Sequence, residues 1–437
     1  MSRLTRIAFG AVLCAATSYT AELLADDPAV ATPQAQVDQF AKEQAQATQA
    51  LQVHRDAAPF QQAGEIRVPS TDGRILGFCV TPSGELAVIT GTSQEYGEGL
   101  LATLSRAISG GSKSPPSRVQ WLDASGKTLR SAELDFLPKA VNVAADGAVF
   151  VVGMGKIASF DAQGRKVQQI DSPHLAKAVA DPEQFADDVM ERHREEVAQI
   201  KEQAAQFADA LQELEAKDAG KRTESEKLQL QQAQVLQTHF AQQFKLREAM
   251  TQDAVVAEAM TRLKEIHRVA ISKDHVFVVT NESSGYGFCI WRMNHQLADA
   301  KKIVSGLSGC CGQMDVQVMG EQLVIAENSR HRVAMFDFEG KSKLNFGSAN
   351  RVDVAKGFGG CCNPMNTCCD PSGALLTSES NGLVKRYSPA GEFQAVVGVA
   401  AVTEGCKNSS IGIAPDGAQL YYFDVTKGEI LVLKKKA

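Results

Sequence analysis

The strongest constraint on the fold is a unit that recurs six times after about residue 64. Each copy runs strand, Gly or Asp turn, strand, short loop, strand, turn, strand. The first is ILGFCVTPSGELAVIT, completed after a loop by SRVQWLDASGKTLRSAEL; the second is AVNVAADGAVFVVGMGKIASFDAQGRKVQQI. The third is HRVAISKDHVFVVTNE with GFCIWRMNHQLADAKKIV, and the fourth is MDVQVMGEQLVIAENSRHRVAMFDFEGKSKLNFG. The fifth and sixth are CCDPSGALLTSESNGLVKRYSPAGEFQAVVG and SSIGIAPDGAQLYYFDVTKGEILVLKK. Short apolar runs punctuated by Gly, Pro and Asp read as successive short strands. A single four-stranded unit cannot bury its own faces, so copies must stack, and units of this length suit closure into a ring. The pattern predicts an all-β chain, a six-bladed β-propeller. The sixth unit ends near Lys435 without an outermost strand, and Glu65–Pro69, EIRVP, is placed to supply it.

Two insertions interrupt the units. Gln94–Pro116 is a Gly/Ser-rich loop around an amphipathic stretch, Leu100–Ile108. The larger one runs from about Pro182 to His267. Its first half sets Ala186, Met190, His193, Val197, Ile200, Ala204, Phe207, Leu211 and Leu214 at steps of four and three, a heptad seam. Gly220 breaks the pattern. Ala233, Leu236, Phe240 and Phe244, then Val256, Met260, Leu263 and Ile266, continue in a looser register. The expectation is a long antiparallel α-helical hairpin inserted between blades 2 and 3, each arm roughly 45–60 Å long at about 1.5 Å per residue. The domain division is then 1–25 signal peptide, 26–63 Ala/Gln-rich leader with helical potential, 64–178 blades 1–2, 179–267 hairpin, and 268–437 blades 3–6.

Charge and the N-terminus limit the function classes. A net charge of −6 gives phosphate-driven nucleic-acid binding no support. Arg3 and Arg6 precede an apolar run from Ile7 to Ala16 that is too short to span a membrane, followed by small residues at Ala21 and Ala25. That layout is a signal peptide, so the chain is expected to be exported, periplasmic or extracellular, without a membrane span and where disulfides are permitted.

Seven of the ten cysteines fall between Cys310 and Cys406. Cys310-Cys311 and Cys361-Cys362 each open a Cys-Cys-x-x-Met-(Asp/Asn) element ending in Met314-Asp315 and Met365-Asn366; Cys368-Cys369 and Cys406 follow. In a propeller the first strand of each blade lines the central channel, so these elements are expected to converge on one channel mouth. One reading is a metal or redox site built from Cys310, Cys311, Cys361, Cys362, Cys368, Cys369, Cys406, Met314 and Met365. Soft sulfur selects copper, zinc or an iron–sulfur centre, and thioethers favour Cu(I). The competing reading is a set of disulfide staples, with the methionines as core filler. Removal of the signal leaves nine cysteines, an odd number that cannot all pair within one chain. Cys79 and Cys289 read as buried small hydrophobes.

The fourth unit resembles an NHL repeat: IAENSRHRVAMFDFEGKSKLNFG carries the acidic-Ser start, His331-Arg332-Val333, an aromatic-Asp pair, a Gly turn and a final Phe-Gly. The resemblance covers about residues 65–435 outside the insertions and implies a six-bladed propeller, a fold that in this family serves as binding platform, scaffold and occasional enzyme. A protein partner at the propeller mouth or on the hairpin is expected, and an enzyme is not. The alternative is a calcium-dependent lactonase or lyase, because SSIGIAPDGAQLYYFD is loosely similar to the sixth-blade motif of such propellers. Ser409 and Ser410 stand where that motif wants Asn.

Overall fold

The computed structural model describes residues 33–92, 116–216, 220, 224–282, 287–310, 314–360, 362–403 and 409–436. The signal peptide and the Leu100–Ile108 stretch lie outside them. The described chain is mostly β. Its strands are β1 (Phe60–Ile66); β2–β5 (Arg74–Val80, Leu86–Gly91, Arg118–Leu122, Thr128–Glu133); and β6–β9 (Pro138–Val143, Val149–Gly153, Lys156–Phe160, Lys166–Asp171). Then come β10–β13 (Ile266–Ile271, His275–Asn281, Phe288–Asn294, Lys301–Leu307) and β14–β17 (Asp315–Met319, Gln322–Glu327, Arg332–Asp337, Ser342–Phe346). The last are β18–β21 (Asn366–Cys369, Leu375–Ser378, Leu383–Tyr387, Phe393–Val399) and β22–β24 (Ile411–Ile413, Gln419–Asp424, Glu429–Lys435).

Four of the sheets are antiparallel four-stranded meanders, β2–β5, β6–β9, β10–β13 and β14–β17. The fifth has eight strands in the order β18-β19-β20-β21-β1-β24-β23-β22. It is two meanders touching where β1 meets β21 at the single parallel pair Phe60↔Gly398. β1 pairs antiparallel with β24 from Phe60↔Lys435 to Ile66↔Ile430, so the N-terminal strand completes the last meander. This closing strand begins five residues before the Glu65 expected from sequence, because Phe60 is apolar enough to join the core beside Leu376 and Leu433.

Turn chemistry explains the meanders. At Asp161 the carboxylate accepts the N–H groups of Gln163 (3.0 Å) and Arg165 (2.9 Å), and Gly164 at φ +80° completes the reversal. Gly340 repeats this after Asp337 at φ +85°; any Cβ there would stand 1.8 Å from the Ile303 carbonyl oxygen.

Each meander packs face to face on the next. Trp121 meets Phe160 edge-on at 5.7 Å in one interface. Phe277 lies with Leu323 and Ile325 in another, and Phe78 with Tyr421 and Phe423 joins first to last. The first strands touch in a closed cycle, β2 to β6, β10, β14, β18, β22 and back to β2. The cycle surrounds a channel, a cavity of about 200 Å³. That arrangement is propeller-like.

Between β9 and β10 lie a helical turn, Ala176–Ala180, and the longer helices of the region. With α1 as the leader helix Pro33–Ala57, these are α2 (Pro182–Ala216), α3 (Glu224–Glu248) and α4 (Gln252–Lys264). α2 packs along α3 and also touches α4. His193 and Leu211, on the seam read from sequence, are buried. The second half of the insertion is two helices, because Thr251 caps a new start by accepting the Ala254 N–H at 3.3 Å. Ile266, read as helical, is instead the first residue of β10.

Candidate functional site

In sequence the segments leading into the first strands of the fourth, fifth and sixth meanders carry the cysteine elements. Cys310, Cys362 and Met365 are buried together as one cluster, at 5%, 0% and 3% exposure. Two consecutive meanders therefore contribute sulfur to one spot. Met314 does not join it; that side chain enters the core between the third and fourth meanders with Phe277 and Val316. Cys311, Cys361 and Cys406 lie outside the described residues.

Cys368 and Cys369 take a different place, on the channel wall toward the far end of β18. Successive strand side chains point oppositely. Cys368 accordingly packs on the core shared with the sixth meander, and the Cys369 thiol points to the Val318 carbonyl (3.7 Å) of the fourth. Both are free thiols, as are Cys79 and Cys289. Burial pushes the Cys369 thiol up to about 11, with Asp370 adding to the effect, and raises Cys368 well above the usual range. Cys79 also lines the channel, while Cys289 is buried against Thr280. Among the described residues, no three His, Cys, Asp or Glu side chains form a metal-holding group.

Buried charges that the sequence reading did not single out hold the sulfur-bearing lead-ins. Glu327, fully buried, accepts the Ser308 N–H at 2.9 Å and is neutralised by Arg330 (2.7 Å) and Arg332 (2.5 Å). Its neighbour Asn328 accepts the Cys310 N–H at 2.7 Å. One meander on, Glu379 accepts the Gly359 N–H at 3.1 Å. The Lys385 ammonium lies 2.5 Å from Glu379, donates to the Gly357 carbonyl and sits over the Phe358 ring. Burial raises the Glu379 carboxyl and lowers the Lys385 ammonium, each opposed by the other's charge. Asn363, in cis linkage to Pro364, accepts the Ser380 N–H at 2.7 Å, and the Met365 N–H donates to the Ser378 carbonyl at 2.7 Å.

The channel wall carries a buried polar network. Arg268, 7% exposed, donates from Nε to Asp315 Oδ1 at 3.0 Å and from Nη2 to the Ser409 carbonyl at 2.6 Å. Ser409 precedes β22, three steps around the cycle from β10, so this guanidinium spans the channel. Asp315 also accepts the Thr367 N–H (2.7 Å) and hydroxyl (3.2 Å), and Asn366 donates to the Ser409 carbonyl at 2.9 Å. Burial pushes the Asp315 carboxyl up, while Arg268 and Thr367 pull it back. Among the described residues lining the channel, Asp315 is the one carboxylate.

No family model matches the chain, and no curated protein matches it. Solved structures similar to it include a virginiamycin B lyase from Staphylococcus aureus, at 10% identity and TM-score 0.40, over 86% of this chain and 99% of that one. A gluconolactonase from Xanthomonas campestris is 11% identical at TM-score 0.42, over 86% and 98% of the two chains. A β-propeller domain from Myceliophteria thermophila is 8% identical at TM-score 0.40, over 86% and 100%.

Proposed function

We propose that this chain is an exported, six-bladed propeller of the NHL type, with a helical hairpin between its second and third blades, that binds a soft metal ion at its channel mouth. The reading is of a binding protein and not an enzyme. Supporting the blade count are the closed cycle of first strands and the packing of each meander on the next. The observation that carries the metal reading is the shared burial of Cys310, Cys362 and Met365, brought together from two successive lead-ins by a second set of buried charged residues. A disulfide staple would need no thioether and no such support. A calcium-dependent hydrolase finds little support in the channel, since Asp315 is already engaged by Arg268 and Thr367. The long, solvated helices are the surface offered to a protein partner.

Elemental analysis of protein purified from its native compartment, with a thiol count in denaturant, tests this. Stoichiometric soft metal that is lost in Cys310→Ser and Cys362→Ser is expected. Protein that neither carries nor takes up such an ion, or that holds Cys310 and Cys362 as disulfides, overturns it.

A further inference from the structure

We infer that the metal taken at this mouth is copper(I), held by the thiolates of Cys310 and Cys362 and the thioether of Met365. This rests on the metal-binding reading above and narrows it to one ion.

First, the apolar side chains buried together here are two cysteines and a methionine, and all three carry sulfur. Thiolate with thioether is a soft set, and thioether is the ligand that separates Cu(I) from Zn(II), which takes Cys, His and carboxylate. Second, the oxygen donors nearest in sequence are engaged elsewhere. Glu327 is held by two arginines and a backbone N–H, and Glu379 by Lys385 and Gly359. Asn328 and Asn363 are turned to the backbone of Cys310 and Ser380. Among the described residues zinc finds no hard or borderline ligands to complete its tetrahedron, whereas a monovalent d¹⁰ ion is satisfied by few, soft ligands. Third, all three side chains are at most 5% exposed, and a singly charged ion costs less to bury than a doubly charged one. Fourth, the two methionines of the repeated Cys-Cys-x-x-Met element have parted roles: Met365 sits with the sulfurs and Met314 in a blade core, although their sequence settings match.

On binding, each thiol releases one proton to solvent and forms one Cu–S bond, and Met365 adds its lone pair. No electron is transferred when the ion enters as Cu(I).

Reduced, metal-free full-length protein would be titrated anaerobically with Cu(I) against bathocuproine disulfonate, and separately with Zn(II) against a chromophoric zinc chelator. The expected result is one copper per chain, a sulfur-only ligand shell by X-ray absorption, and loss of tight binding in Cys310→Ser and Cys362→Ser. Met365→Leu should weaken Cu(I) at least tenfold without changing Zn(II), and Met314→Leu should leave Cu(I) affinity unchanged. Circular dichroism melts would confirm that each variant is folded. Equal Cu(I) affinity in Met365→Leu, or a site that prefers zinc, overturns the copper assignment and leaves metal binding standing. Uptake of neither ion overturns both.

Discussion

Arg268→Met is the perturbation that tests whether the ring is held by charges across its channel. The substitution keeps an apolar stem of similar length and removes the guanidinium. Asp315, 3% exposed, then retains only Thr367 as a partner. Breaking a buried pair by deleting one member costs about 3–5 kcal/mol, because the remaining charge is stranded. The folding constant should thus fall by roughly two to three-and-a-half orders of magnitude. The loss has a pH signature. Removing Arg268 takes away the charge that pulls Asp315 down, so its folded-state pKa rises further above the unfolded value. A raised carboxyl binds its proton more tightly in the native state, so the penalty is absent below about pH 4 and grows as pH climbs past it. Guanidinium unfolding followed by fluorescence is the assay. The chain has two tryptophans, Trp121 in β4 and Trp291 in β12, which report the first and third meanders. Adding Asp315→Asn removes the stranded charge and should recover at least about 2 kcal/mol relative to the sum of the single effects. A loss under about 1 kcal/mol, or single effects that add within about 0.5 kcal/mol, would refute the reasoning.

Three further outcomes are expected. Lys385→Met strands Glu379 at 2% exposure and should cost about 3–5 kcal/mol, while Glu379→Gln in the same chain restores much of it; chemical unfolding of the two variants checks this. Cys289 is held at about 11 against an ordinary 9.0, chiefly by burial. Above pH 9 the unfolded thiol ionises first, so native protein holds the extra proton and stability falls by about 2–3 kcal/mol by pH 11. Cys289→Ala should remove this share of the alkaline slope in a pH series of melts, while Cys368 and Cys369, raised in the same direction, keep the rest. Finally, replacing residues 198–242 by a short Gly/Ser turn should leave cooperative melting intact, since His193 Nε2 already meets the Arg247 carbonyl at 3.0 Å near the base of the helix pair. Loss of cooperativity would make the helices part of the propeller core.

The β character was legible because each meander writes its own period. Phe160 and Phe336 stand just before Asp-x-x-Gly turns, and the short apolar runs VFVV and LVIA are bounded by turn signals at strand length. The convergence of the two elements followed from their matching places before β14 and β18, although the cysteines that meet are the first of one pair, Cys310, and the second of the other, Cys362. What the spacing could not show was direction. Met314 and Met365 stand at the same place in the same element, yet tertiary packing sends one to a blade core and the other to the sulfurs. Cys368 and Cys369 group with the mouth by closeness in sequence, but β18 carries them about 3.3 Å per residue away from it. The break at Thr251 is a capping event, and capping competes with the heptad pattern over a single turn. Arg268 had no signal at all: an arginine in HRVAIS reads as an outward-facing strand residue, and its partner at Ser409 is 141 residues away.

The buried carboxylates were missed for a more instructive reason. Glu327, Glu379 and Asp424 stand at the end of the second strand of three consecutive meanders, and each accepts a backbone N–H from its own lead-in: Ser308, Gly359 and Thr403. The separations are 19, 20 and 21 residues, one repeat feature in three spellings. In β11 the same place is Asn281, which reverses the polarity by donating to the Arg262 carbonyl at 3.0 Å across 19 residues. In β3 and β7 it is glycine, Gly91 and Gly153. A Cβ at Gly153 would lie 2.1 Å from the Leu137 carbonyl, so there the backbone itself fills the space a carboxylate spans elsewhere. The ring is therefore two-sided in construction. In the second meander direct backbone contact fills this place, and in the third an amide side chain does. Where the lead-ins carry cysteines, a buried charge-assisted hydrogen bond worth about 1.5–3 kcal/mol holds each one. Desolvating a carboxylate is costly, and a fold that only needed a turn would use glycine as its first two meanders do. The carboxylates recur in the three meanders whose lead-ins carry the cysteine elements.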